Sequence, residues 1–131
     1  MTTLVDANVL LDVITEDKRW MSWSADALAE AAARGALAIN PIVYAEVSLA
    51  YDTIEALDAA LLGFTRLPLP YEAGFLAARC YLRYRKGGGA RRSPLPDFYI
   101  GAHAAVDRHE LLTRDDARYR SYFPTLRIVA P

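Results

Sequence analysis

The stretch TTLVDANVLLDVI (residues 2–14) joins a β-like run to a helical one around a single aspartate. Leu4 and Val5 are typical of a buried strand, and Val9 and Leu10 begin the apolar side of a short helix that leaves it. Asp6 stands between the two segments, where an ionised carboxylate is costly to desolvate without a partner. Either Asp6 caps the following helix or a cation binds it, and the other acids of the chain bear on that choice.

Size and composition are those of one globular domain. The chain has 131 residues, of which 53% are hydrophobic and 24% charged, enough for one core and too few for two. A formal net charge of −1 excludes a global polycation, so contact with nucleic acid would need a local basic patch or metal ions. The single Cys80 fits a reducing compartment. Without a signal-peptide pattern or a long apolar run, the sequence predicts a cytoplasmic protein with no membrane association.

Short β-like runs alternate with longer helical ones, which predicts a single three-layer α/β/α domain over residues 1–131 with a central, mostly parallel sheet. The predicted strands are 3–7, 36–40, 64–69, 110–115 and 125–131. The predicted helices are 8–14, 23–35, 41–51, 53–64, 71–86, 97–109 and 116–123. Asn8 is a possible cap of the first helix, and Asn40 followed by Pro41 is a good helix start.

Three of four notable acids fall where a parallel sheet gathers its ligands, and the fourth, Glu46, could reach the same rim from about one turn inside its helix. The four acids are Asp6 at the end of the first strand, Glu46 on the helix after the second, Asp97 at a helix start and Asp115 after the fourth strand. The carboxyl ends of parallel strands and the helix starts beside them form one crevice. Each acid alone has an ordinary explanation as a cap, a first-turn acid or a solvated side chain. Together, without basic partners beside them, they repel one another unless a divalent cation neutralises them.

The chemistry of these ligands favours a hard cation. Oxygen donors suit Mg²⁺ or Mn²⁺, whereas zinc is disfavoured because His103, His109 and Cys80 are the chain's only histidines and thiol. Such an ion promotes phosphodiester hydrolysis because it lowers the pKa of a bound water and stabilises the charge that develops on the leaving oxygen. His103 lies six residues after Asp97 and so on another helix face, and we interpret it as a packing or hydrogen-bonding residue.

Four fragments resemble the PIN-domain nucleases, and specifically the VapC-type toxins of bacterial toxin–antitoxin pairs. The fragments are LVDANVLLDV (4–13), INPIVYAEV (39–47), LPDFYIGAHA (95–104) and LLTRDDARY (111–119). The resemblance implies an Mg²⁺- or Mn²⁺-dependent endoribonuclease that acts on RNA, pairs with a cognate antitoxin protein and forms a homodimer. It implies catalytic roles for Asp6, Glu46, Asp97 and Asp115. Of these, Asp6, Asp97 and Asp115 are the expected metal ligands, while Glu46 helps to ligate or orients the attacking water.

Polar residues beside the acids are candidate substrate contacts. The resemblance makes Thr113 a neighbour of the site, Arg114 is a candidate phosphate contact, and Asn8 follows Asp6 closely. The pair Asp115 and Asp116 offers two possible ligands. We expect Asp115 to be the ligand and Asp116 to cap the last helix.

Basic and aromatic residues suggest two further surfaces. Arg83, Arg85, Lys86, Arg91 and Arg92, interleaved with Tyr81 and Tyr84, form either an RNA-facing patch or a solvated helix end and loop. Trp20 and Trp23 look like the apolar face of an early helix. In the VapC-like family, helices near here help to bind the antitoxin and the second subunit, so exposure of these tryptophans would support a partner role.

Two other functions stay open. A haloacid-dehalogenase-like phosphatase or a receiver domain phosphorylated on aspartate also begins with an apolar strand that ends in aspartate. The phosphatase pattern wants an acid where Asn8 stands, and both want a late lysine, whereas no lysine follows Lys86. The second alternative is a catalytically inactive nucleic-acid-binding or partner-binding module, which would have no reason to keep four acids.

Overall fold

The computed structural model describes residues 1–87 and 95–131, and within them five strands form one sheet. The strands are β1 (Thr3–Val5), β2 (Leu37–Ile39), β3 (Thr65–Arg66), β4 (Glu110–Leu112) and β5 (Ile128–Val129). Their order is β3-β2-β1-β4-β5, and all four pairings are parallel. The predicted central, mostly parallel sheet is therefore confirmed.

Seven helices occupy the described parts of the connections. They are α1 (Ala7–Ile14), α2 (Met21–Arg34), α3 (Pro41–Ser48), α4 (Ile54–Ala60), α5 (Tyr71–Lys86), α6 (Leu95–Val106) and α7 (Asp116–Tyr122). The chain steps outward from β1 to β3 and then crosses to β4 and β5 on the other side. Because crossovers between parallel strands are right-handed, this reversal puts the helices before β3 on one face and the later ones on the other. The result is the predicted three-layer α/β/α architecture. No helix in the two described ranges is long and apolar enough to cross a membrane.

Local capping decides where two of the helices begin. Helix α1 starts at Ala7 because the carboxylate of Asp6 accepts the Ala7 N–H at 2.8 Å. Of the two residues that the sequence allows as its cap, the structure selects Asp6, and Asn8 is not the cap because it lies inside the helix. The predicted start of α3 is confirmed, because the side-chain oxygen of Asn40 accepts the Val43 N–H at 3.0 Å.

The buried centre of the sheet places the candidate site. Every residue of β1 and β4 is buried, and Leu4, Val5, Leu111 and Leu112 are fully inaccessible. Burial of each such side chain contributes about 1.5–3 kcal/mol. The connections that leave these two adjacent strands run in opposite directions along the sheet, and such a switch point opens a crevice at the carboxyl ends of the strands.

A glycine of α6 permits close packing beneath this crevice. A Cβ on the buried Gly101 would lie 2.5 Å from Cε2 of Phe123 and 2.9 Å from Cδ1 of Tyr119. We expect Gly101→Ala to lower the free energy of unfolding by about 1–3 kcal/mol, since overpacking forces neighbouring groups apart. Urea denaturation measures the change. Gly63→Ala is the control, because a Cβ there meets no atom within 4 Å; equal stability of the two variants would contradict the prediction.

Candidate active site

The structure brings the four predicted acids together. A single cleft is lined by Asp6, Glu46, Asp97 and Asp115, and its other walls include Leu11, Leu49, Arg118 and Tyr119. The acids come from the residue after β1, from α3, from the first turn of α6 and from the start of α7. They meet at the switch point because β1 and β4 are neighbours whose carboxyl ends open on the same edge of the sheet.

Asp6 both caps a helix and faces the cleft. One carboxylate oxygen accepts the Ala7 N–H, while the other accepts the hydroxyl of Thr113 at 2.8 Å and that of Tyr119 at 3.1 Å. The residue is only 7% exposed. Burial raises the pKa of Asp6 above its usual range, although these hydrogen bonds act in the opposite direction. The two explanations that the sequence left open for Asp6 are therefore compatible.

Glu46 carries an unpartnered buried oxygen. Its Oε1 is the one buried side-chain N or O atom in residues 1–87 and 95–131 that has no hydrogen-bond partner. Burial, together with the nearby charges of Asp6 and Asp97, raises the pKa of Glu46 to about 7. An orphaned carboxylate oxygen is costly in a folded protein unless it has a further partner, and a bound cation would be such a partner.

Arg118 bridges the other two acids. Its Nη1 lies 3.2 Å from Oδ2 of Asp97, and its Nη2 lies 3.5 Å from Oδ2 of Asp115. Burial raises the pKa of Asp97 in spite of the favourable charge of Arg118, and the charge of Asp115 adds to the rise. The Asp115 side chain is 55% exposed, so it stands at the mouth of the cleft.

The donor set of the cleft fits a hard divalent cation. Four carboxylates lie against one guanidinium in the described lining, so the cleft keeps an excess of negative charge. All of the carboxylate donors are oxygens, the ligands that Mg²⁺ and Mn²⁺ prefer. Oε1 of Glu46 accepts no hydrogen bond, so it is available as a ligand for such an ion. On charge, ligand type and this orphaned atom, the residues present suit such an ion.

Comparison with known proteins identifies the family. The PIN domain family matches residues 3–123, nearly the whole chain. The chain belongs to the PIN-domain family. The sequence resemblance to PIN domains is thus confirmed, and the fold of this PIN domain is shared by solved toxin–antitoxin structures.

Three solved structures illustrate the likeness. VapBC2 from Rickettsia felis, bound to a DNA fragment from its promoter, has a TM-score of 0.76 at 18% identity, over 100% of this chain and 99% of that one. VapBC-1 from nontypeable Haemophilus influenzae has a TM-score of 0.76 at 16% identity, over 99% and 98%. A toxin–antitoxin complex from Klebsiella pneumoniae has a TM-score of 0.70 at 24% identity, over 97% and 95%. At these identities the likeness concerns the fold. No curated protein matches this chain.

The adjacent residues Asp115 and Asp116 have different positions at the start of α7 in this PIN domain. Asp115 occupies the cap position without making a side-chain cap bond, and it lines the cleft. Asp116 is the first helical residue and pairs instead with Nε of Arg120 at 2.6 Å. The expectation that Asp116 caps this helix is therefore wrong. That Asp115 ligates a metal stays a prediction, and its position in the cleft supports it.

Thr113 and Asn8 tie the two central connections together. The hydroxyl of Thr113 donates to Asp6 and accepts the Asp115 N–H at 3.1 Å. The amide of Asn8 donates to the Thr113 oxygen at 3.4 Å and accepts the Arg114 N–H at 3.1 Å. These bonds position the acids of the cleft. Substrate contacts of Thr113 and Asn8 stay predictions.

The side chain of Arg114 contacts Asp12 and does not line the described part of the cleft. Its guanidinium donates to both oxygens of the buried Asp12, at 2.5 and 3.0 Å, and lies 5.0 Å from the ring centroid of Trp20. Arg114 is absent from the described lining of the cleft. A phosphate contact of Arg114 stays a prediction, and this geometry favours a structural role.

Sequence reasoning missed Arg118 and Tyr119 as residues of the site. Both lie on α7, three and four positions after Asp115, which puts all three on one face of the helix. Given Asp115 as a candidate site residue, that spacing is the signal that the sequence offers for the other two. It is weak, because an arginine and a tyrosine at such positions are common on solvated helices.

The proposed patches are only partly described. Arg85 donates to the Tyr81 hydroxyl at 3.0 Å, and Arg83 lies 5.5 Å from the ring centroid of Tyr122, so these arginines cover aromatic rings. Arg91 and Arg92 lie outside the described residues. Trp20 and Trp23 are half-buried and pack edge to face with their ring centroids 6.5 Å apart. An RNA contact for the basic patch stays a prediction.

A second group of possible metal ligands includes His103, whose hydrogen bonds determine which ring nitrogen carries the proton. Suitable atoms of His103, Asp107 and His109 lie within 4.8 Å of one another. Because the Asn40 oxygen already accepts the Val43 N–H, the Asn40 amide nitrogen faces Nδ1 of His103 at 3.1 Å. Nε2 of His103 therefore carries the ring proton and donates to Asp107 at 3.1 Å. A protonated ring nitrogen does not bind a metal, and the contacts agree with the predicted hydrogen-bonding role of His103.

Burial of this histidine predicts a pH effect on stability. Burial lowers the pKa of the fully inaccessible His103 from its usual 6.5, against the opposing charge of Asp107. The unfolded chain therefore takes up the proton first, so the stabilisation from neutral His103 is complete above pH 6.5 and is lost as the pH falls below it.

The test compares wild type with His103→Gln. We expect the wild-type advantage in free energy of unfolding to shrink between about pH 7.5 and about pH 5.5, by at most about 1.4 kcal/mol per pH unit because one proton is involved. Urea denaturation at both pH values measures it. A difference between the two proteins that does not change with pH would contradict the prediction.

Proposed function

We propose that this PIN domain is an Mg²⁺- or Mn²⁺-dependent endoribonuclease that acts as the toxin of a toxin–antitoxin pair. The observation that carries the proposal is the convergence of four carboxylates in one cleft, with Oε1 of Glu46 left without a partner. Family membership and the fold shared with VapBC complexes support the toxin assignment. Family membership also removes the support for a haloacid-dehalogenase-like or receiver domain.

The acids of the cleft have two proposed roles, which are metal binding and proton transfer. Asp6, Asp97 and Asp115 would hold the cation, which when bound would lower the pKa of a water and stabilise charge on the leaving oxygen. Glu46 lines the same cleft and its Oε1 has no hydrogen-bond partner, so this carboxylate is placed to accept a proton from the attacking water. Burial and the charge of Asp6 raise the pKa of Tyr119, so its hydroxyl stays protonated and keeps Asp6 in place.

Ribonuclease assays with controlled metal test the proposal. Purified protein is incubated with total cellular RNA and Mg²⁺, Mn²⁺ or EDTA, and the ends of the products are mapped. We expect cleavage with either ion and none with EDTA. Cleavage that persists in EDTA would contradict the metal dependence, and intact RNA under all conditions would favour the inactive binding module.

Exposed apolar side chains support the partner proposals. Large exposed hydrophobic residues include Leu49, Ile54, Leu62, Tyr71 and Phe75, with exposures between 60% and 94%. Exposed apolar side chains of this size often belong to surfaces that contact other proteins, and we propose that a cognate antitoxin and a second copy of the chain cover some of them. Co-expression with any small protein that an adjacent reading frame encodes, followed by light scattering, tests both. A chain that stays monomeric and binds no such protein would contradict them.

A further inference from the structure

One cation already resides among the acids of the cleft. The side chain of Arg118 is 21% exposed, and each of its two terminal nitrogens faces a different carboxylate, Asp97 or Asp115. Arg120, two residues along the same helix, has a side chain that is 56% exposed and pairs with Asp116 outside the cleft. Arg118 is therefore built into the site, whereas Arg120 is an ordinary surface residue.

The arginine faces one oxygen of each of two acids that we propose as metal ligands. Oδ2 of Asp97 and Oδ2 of Asp115 are the atoms nearest to Arg118, and both residues are proposed metal ligands. A guanidinium stays charged at any accessible pH and has no acceptor atom, so it cannot share those oxygens by giving up a proton. A divalent ion that binds these two acids meets the repulsion of the guanidinium, and it competes directly with Arg118 for their Oδ2 atoms.

Displacement leaves the guanidinium inside the cleft. Its backbone is held in α7, beside the buried Tyr119 that donates to Asp6. Once the carboxylates turn to a metal, the planar fork of Arg118 has its donors free, and that fork matches the geometry of a phosphate group. The same side chain can thus serve two anionic partners in turn.

We propose that Arg118 is a resident counter-ion of the acids, that a divalent cation displaces it, and that the displaced guanidinium then binds a phosphate of the RNA. The inference rests on the proposed function. It assigns Arg118 two opposite effects, since the side chain weakens metal binding and strengthens RNA binding. A purely structural role would not separate the two affinities in this way.

The first measurement is Mn²⁺ binding by isothermal titration calorimetry without RNA. We expect Arg118→Gln to bind Mn²⁺ about tenfold more tightly than wild type, because a competing charge is gone. Arg118→Lys keeps the charge and should stay close to wild type. Arg120→Gln is the matched control and should not differ. Unchanged or weaker Mn²⁺ binding by Arg118→Gln would overturn the counter-ion role.

The second measurement is RNA binding by fluorescence anisotropy with Mn²⁺ and a single-stranded RNA, in a Glu46→Gln background that suppresses cleavage. Here both Arg118→Gln and Arg118→Lys should bind about tenfold more weakly, since both lose the fork. Equal RNA affinity in all variants would overturn the phosphate contact. Thermal unfolding confirms that each variant is folded.

The two proposals fail in different ways. Wild-type protein that binds Mn²⁺ but cleaves no RNA would overturn the ribonuclease function, while tighter Mn²⁺ binding by Arg118→Gln would still support the counter-ion role. Cleavage by wild type combined with unchanged Mn²⁺ affinity in Arg118→Gln would overturn the inference and leave the ribonuclease function supported.

Discussion

Asp6→Asn and Asp97→Asn should each reduce RNA cleavage at least about a hundredfold while leaving the fold intact, because each removes a charge that we propose holds the cation. Asparagine keeps the shape of the side chain. At position 6 it also keeps an oxygen for the Ala7 N–H, and asparagine caps helices as well as aspartate does. Initial rates with a labelled RNA and Mn²⁺ measure the loss, and circular dichroism checks the fold.

The adjacent aspartates offer a matched control for this experiment. Asp115→Asn removes an acid of the cleft, whereas Asp116→Asn removes one that pairs with Arg120 outside it. We expect Asp116→Asn to retain wild-type activity. Full activity of both Asp6→Asn and Asp97→Asn would refute the metal assignment. Loss of activity in Asp116→Asn but not in Asp115→Asn would show that Asp116 is the ligand.

Glu46→Gln should lower activity and raise stability at the same time. Removal of a positioned proton acceptor costs about 10²–10⁴ in rate. The pKa of Glu46 is raised from 4.5 to about 7 in the folded state, which therefore prefers the protonated form. The resulting destabilisation is absent below about pH 4.5, grows as the pH rises to about 7 and is constant above it. A glutamine is neutral at every pH, so the Glu46→Gln protein lacks this destabilisation.

The gain in stability has a measurable pH signature. In EDTA at about pH 8 we expect Glu46→Gln to exceed wild type by about 1 kcal/mol in free energy of unfolding, a figure reduced for the partial exposure of the side chain. The difference should shrink towards about pH 5. It should also shrink when Mn²⁺ is added, because the ion stabilises the wild-type carboxylate. Glu30→Gln, on an exposed part of α2, is the control; a Glu46→Gln protein that is less stable than wild type at high pH would contradict the prediction.

Errors in the sequence-based reading are confined to local details. For α1 the sequence leaves Asp6 and Asn8 open as caps and the structure selects Asp6, while for α7 the sequence predicts Asp116 and the structure places Asp115 at the cap. The two residues of each pair lie within two positions of each other and are both competent caps, so propensity alone does not choose between them. The third strand was predicted as 64–69 but spans Thr65–Arg66, since Pro68 and Pro70 lack the N–H that a longer ladder would use.

The order of strands and helices, the parallel sheet and the acids that end or follow its strands were all determined by the sequence itself. Hydrophobic period and capping residues act over a few neighbouring positions, and a right-handed parallel topology then carries the strand ends to one edge. That is why four acids spread over the chain could be assigned to one rim before their contacts were known.

Tertiary structure alone decided which side chains the acids meet. The hydroxyl of Tyr119 reaches Asp6 across 113 positions, and Arg118 reaches Asp97 across 21. Arg114, which stands closer to the acids in sequence, turns to Asp12 instead. Contacts of this kind depend on the directions of side chains from packed helices, which no local pattern encodes. The same packing leaves Oε1 of Glu46 without a donor, which supports the proposed cation site.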